Sequence, residues 1–126
     1  MRLLPLLAVV LVVGCDSRPS PTEVEAAIRM HLAYKIPVML LPTDRNTTGF
    51  REGRKGHYAL EILEVRVLEV EEPFRDTSSR PYGTYCRVRA YIDCWVARPG
   101  EERLRLSGET NLHLFEHTDG WSVTDP

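Results

Sequence analysis

The chain lacks a basic excess. Its 16 lysines and arginines are outweighed by 18 aspartates and glutamates, for a net charge of −2. A protein built to hold nucleic acid carries the opposite imbalance. It also lacks a hydrophobic run long enough to cross a bilayer. The longest, residues 3–13, would make a helix of about 16 Å, half the hydrocarbon core. Cysteine is scarce, at three in 126 residues. There is no Cys-x-x-Cys pair and no His-Glu-x-x-His, which removes the common zinc frameworks. There is no Gly-x-Ser-x-Gly elbow for a nucleophilic serine. Internal repeats, low-complexity stretches and heptads are missing as well, which excludes solenoids and coiled coils. The length fits one small domain, and no cofactor or metal is expected.

What is present begins with an address. Arg2 precedes the apolar run, and the run ends in Val12-Val13-Gly14-Cys15. A charged start, a short apolar stretch and a small residue at its end describe an export signal rather than a permanent span. The four closing residues resemble the lipobox of bacterial lipoproteins. That resemblance implies cleavage between Gly14 and Cys15, a diacylglyceryl group on the Cys15 sulfur and an acylated new amino terminus. Two or three acyl chains anchor stably where one does not, each buried CH₂ contributing about 0.8 kcal/mol. Asp16 resembles the residue that keeps enteric lipoproteins in the inner membrane, which favours that leaflet if such sorting applies. The expected location is a cell membrane, facing the periplasm or exterior. Removing residues 1–14 takes away one arginine and no acid, so the net charge becomes −3.

Three segments follow: a signal peptide at 1–14, a lipidated tether at 15–21 stiffened by two prolines, and one domain at 22–126. Ser20, Pro21 and Glu23 form a helix-start pattern, with a cap, a proline at the first position and a capping box. Val24, Ala27, Ile28, His31 and Leu32 recur at helical spacing, with Tyr34 and Lys35 at the helix end and Pro37 stopping it. Residues 36–42 read as a core-covering connector or a short second helix. Residues 43–56, with three glycines among four basic residues, read as a flexible basic loop and at most a faint echo of a phosphate loop.

The remainder reads as strands at 57–71, 84–97, 104–116 and 121–124, separated by a loop at 72–83 and turns at 98–101 and 118–120. In the first strand Leu60 and Ile62 share one phase and Leu63, Val65 and Val67 the other, so a bulge is expected near Ile62 and Leu63. The expected class is α+β: one helix packed on a four-stranded antiparallel sheet. The layout resembles the cystatin-like and NTF2-like α+β rolls, cystatin-like more closely. The closing 114–123 segment looks like the terminal hairpin of those families.

Alternation along 84–97 puts Cys86, Val88, Ala90, Ile92, Cys94 and Val96 on the core face. Cys86 and Cys94 lie about 26 Å apart on one extended strand, which rules out a disulfide between them and leaves free, buried thiols. His113 and His117, about 13 Å apart on a strand, cannot chelate together. Asp93, Glu109 and His113 share the outer face, where cross-strand charge pairing is a commoner arrangement than acid–base machinery.

The outer-face residues Tyr85, Arg87, Arg89, Tyr91, Asp93 and Trp95 are the residue types enriched at binding hot spots and are the candidate binding face. The leading functional expectation is a membrane-anchored envelope lipoprotein that presents a small non-catalytic domain to a protein or peptide partner. A second is an NTF2-like small-ligand carrier or minor enzyme, with a pocket between helix and sheet polarised by His31, Tyr34 and Thr110. A third is an inhibitor of a periplasmic hydrolase.

Overall fold

The helix start forms as the residues dictate. In the computed structural model, which describes residues 18–42, 58–78 and 81–124, α1 spans Pro21–Leu32 behind Ser20. The Glu23 N–H donates to the Ser20 hydroxyl at 3.1 Å, and the Ser20 N–H donates to Glu23 Oε1 at 2.9 Å. Reciprocal capping of this kind stabilises a helix end by about 1 kcal/mol. Val24, Ala27, Ile28 and Leu32 are buried. Ala33 caps the far end, two residues earlier than the sequence spacing suggests. A 3-10 turn, η1 (Val38–Leu40), then lays Leu40 against β4. The proposed signal peptide, Gly14, Cys15, Asp16 and the whole 43–56 loop lie outside the described residues.

Five strands follow: β1 (Ala59–Val70), β2 (Phe74–Asp76), β3 (Gly83–Ala97), β4 (Leu104–His117) and β5 (Gly120–Thr124). The order is β1-β3-β4-β5, with β2 also paired to β3, and every pairing is antiparallel. The fold is α+β, with five strands rather than four. The additional strand is β2, which sits in the segment expected to be a loop. Three residues after Pro73 are too few for a periodic signal, yet Phe74 pairs opposite Tyr85.

The phase slip in β1 is a bulge, at the expected place. Ile62 pairs with Cys94 and Glu64 with Asp93, leaving Leu63 unpaired and 43% exposed. Leu63 therefore does not join the inward set with Val65 and Val67. A second bulge leaves Leu68 extra between Val67 and Glu69. Two bulges and a row of Glu and Arg side chains also blunt this edge against further pairing.

The core lies between α1 and the inner sheet face. Cys86, Val88, Ala90, Ile92, Cys94 and Val96 of β3 are all 2% exposed or less. Both thiols are free and buried. Burial pushes both above the usual thiol range, Cys94 to about 11, so they stay protonated and inert. Cys86 donates to the Glu71 carbonyl at 3.1 Å. The helix makes its closest strand contacts with β1 and β5, which stand at opposite ends of the order, so the sheet curls around it.

Tyr58 closes the helix from below: its ring is buried and its hydroxyl donates to the Leu32 carbonyl. Burial raises its pKa, so the phenol remains a donor throughout the physiological range. Tyr58→Phe leaves that terminal carbonyl unsatisfied. A stability loss of about 1–2 kcal/mol in urea denaturation is the expected result, and an unchanged midpoint would contradict it.

Candidate functional site

The outer face of β3 is a ladder of satisfied contacts rather than a set of free hot-spot side chains. Arg89 donates to Glu109 at 2.9 Å and to Glu69 at 3.4 Å, bridging three strands. Asp93 accepts two hydrogen bonds from Arg105, at 2.7 and 2.8 Å. Arg105 thereby holds the Asp93 carboxyl below its usual range, and the two carboxylates hold Arg89 above its own. The Trp95 ring carries Arg103 at 4.0 Å and Arg105 at 5.3 Å, and Tyr91 carries Arg66 at 4.9 Å. Arg87 lies over Phe74 at 4.9 Å.

Tyr85 lies on the expected face but is buried there. It is 6% exposed, its ring lies between Phe74 and Phe115, and its hydroxyl donates to the Pro81 carbonyl at 2.6 Å. Alternation placed it correctly on the outer side, but Phe74 of β2 and Phe115 of β4 flank it there and close it off.

Asp93, Glu109 and His113 do not form a unit. Opposite Asp93 is Ser107, and opposite Arg87 is His113. Six strand positions therefore separate Asp93 from His113, about 20 Å. His117 turns instead to the Ser122 hydroxyl, 2.6 Å away on β5. Among the described residues, no three His, Cys, Asp or Glu side chains gather as a metal ion would require.

A concave feature lies elsewhere, between α1 and β5. A groove of about 660 Å³ runs there, within the size range of ligand sites. From the helix it takes Glu23, Ala26, Ala27, Met30 and His31, spaced as one stripe, with Tyr34 and Lys35 just past the helix end. From the hairpin it takes the five consecutive residues 119–123, Trp121 and Val123 among them. Met30 and Tyr34 are exposed on its lip, at 68% and 41%. Burial, reinforced by the Lys35 charge, lowers the His31 pKa to about 4, so its imidazole is neutral at pH 7.

Two of the three polar groups expected in a helix–sheet pocket, His31 and Tyr34, therefore do line one. Thr110 does not: it is 1% exposed and its hydroxyl donates to the Met39 sulfur at 3.6 Å, away from the groove. Trp121, Val123, Met30 and Asp119 went unassigned in the sequence. The available signal was Ala26 and Met30, which extend the helical stripe past the buried set toward a partner that periodicity cannot name. Comparison with protein-family models, with curated proteins and with solved structures returns no match for this chain.

Proposed function

We propose that the protein is a lipid-anchored envelope protein presenting a small, non-catalytic ligand-binding domain, with the groove between α1 and β5 as its binding site. The groove is the observation that carries this reading: an apolar trough with exposed lips, joined to one neutral imidazole and a phenol. Outer-face charges that already satisfy one another support moving the site away from β3. The helix-then-sheet order and the curl of the sheet around the helix support the likeness to a cystatin-like roll. The lipobox-like residues 12–15 support the anchor.

Each half has its own test. Radiolabelled palmitate enters the wild-type protein and is lost on Cys15→Ser; equal labelling of both removes the anchor. For the groove, Trp95→Phe leaves Trp121 as the sole indole of the two in the chain. An occupant then shifts Trp121 emission to the blue, and Ala26→Phe, filling the groove from its exposed side, abolishes the shift. The probes are octanoate and a hexapeptide, Lys-Val-Ser-Val-Ser-Val. A Trp121 spectrum indifferent to both removes the groove as a binding site.

A further inference from the structure

Successive strand residues point to opposite faces of a sheet. A cavity lying on one face of β5 would touch alternate residues. This one touches four strand residues in succession, 120–123, and Asp119 of the turn before them. It therefore runs along the edge of the strand, where the backbone is. β5 is the last strand in the order, and among the described residues no strand pairs with its outer side. Such an edge offers a row of unpaired N–H and C=O groups. Across the groove stands a single helical stripe, from Glu23 to His31, about 12 Å long, with Tyr34 just past the helix end. Four extended residues span about the same distance.

An edge on one wall and an apolar helix stripe on the other make a slot shaped for one extended strand. Resting on the groove as the binding site, we propose that its occupant is an extended peptide that adds to β5 as a sixth strand, with alternate apolar side chains against Ala26, Met30 and Trp121. The main chain supplies the pairing and the trough selects the side chains. Charge decides the rest of the peptide's chemistry. The groove holds two carboxylates, Glu23 and Asp119, against one ammonium, Lys35, with His31 neutral. Glu23 is engaged in the helix cap, whereas Asp119 has no protein partner among the described residues. The peptide therefore carries a basic residue placed to reach Asp119.

The test is fluorescence anisotropy on the full-length protein in nanodiscs, with the labelled hexapeptide Lys-Val-Ser-Val-Ser-Val. Binding is expected, weakened roughly tenfold or more when alternate peptide nitrogens are methylated, since each lost backbone hydrogen bond counts. Asp119→Lys weakens it further, by about fivefold, as the loss of one exposed ion pair allows. If the methylated peptide binds equally well, or octanoate moves Trp121 while the hexapeptide does not, strand addition is overturned and the groove survives as an apolar pocket. If chains cross-link through β5 and take up no peptide, the slot belongs to a second copy and the proposal falls.

Discussion

Ile92→Ala is expected to cost about 3–4 kcal/mol. Ile92 is fully buried at the middle of the central strand, opposite Val65 on β1 and Gly108 on β4. Truncation removes the transfer energy of three carbons and leaves a cavity that rigid strands on both sides cannot close. Gly108 contributes no side chain to fill the gap, and Leu40 of η1 already rests over it. A domain of this size holds about 5–15 kcal/mol in all, so roughly a fifth to four-fifths of its stability would go. Melting should fall by about 15–25 °C. Leu63→Ala is the internal comparison: the same kind of truncation at a bulge that is 43% exposed should cost about 0.5 kcal/mol or less. Urea curves giving the two variants similar midpoints would mean that β3 is not the centre of the core.

That contrast shows how far residue pattern reaches. Leu63 and Ile92 are equally apolar, and only the slip in phase around Leu63 tells them apart. The slip was legible because a bulge is a local event, written in three or four neighbouring residues. So was the helix start, where Ser20, Pro21 and Glu23 act on each other within one turn. Contacts between distant residues were not legible. Alternation gives Tyr85 its side of the sheet but cannot show that Phe74, eleven residues earlier, comes back to cover it. The groove has the same character. Met30 and Trp121 meet only because the sheet curls until its last strand reaches the helix, and nothing near either residue records that curl.

Acid should destabilise the domain between pH 6.5 and pH 4, through His31. The imidazole is largely buried between α1 and β5, with Lys35 one turn along the helix and Glu23 and Asp119 elsewhere in the groove. Its pKa falls from 6.5 to about 4 on folding, so the unfolded chain takes up a proton in this window and the native one does not. Stability is complete above pH 6.5, declines as pH drops, and levels off below pH 4 for this group. The full shift corresponds to about 3 kcal/mol; partial exposure to solvent reduces the expected loss to about 2 kcal/mol. Asp93 acts in a separate window, because Arg105 holds its pKa below 3.8 and its contribution is lost only in stronger acid. Urea unfolding at pH 7, 5.5 and 4.5 isolates the two. His31→Gln keeps a polar group of similar reach without the charge, and should flatten the decline between pH 6.5 and 4. A decline of the same steepness in His31→Gln would assign it to other groups. Peptide binding reads the folded state alone, in which His31 stays neutral until about pH 4. A basic peptide should therefore be held equally well at pH 7 and pH 5.5, although stability falls over that range. A wild-type affinity that drops between those two pH values and a His31→Gln affinity that does not would mean the folded imidazole titrates higher and the stability argument fails with it.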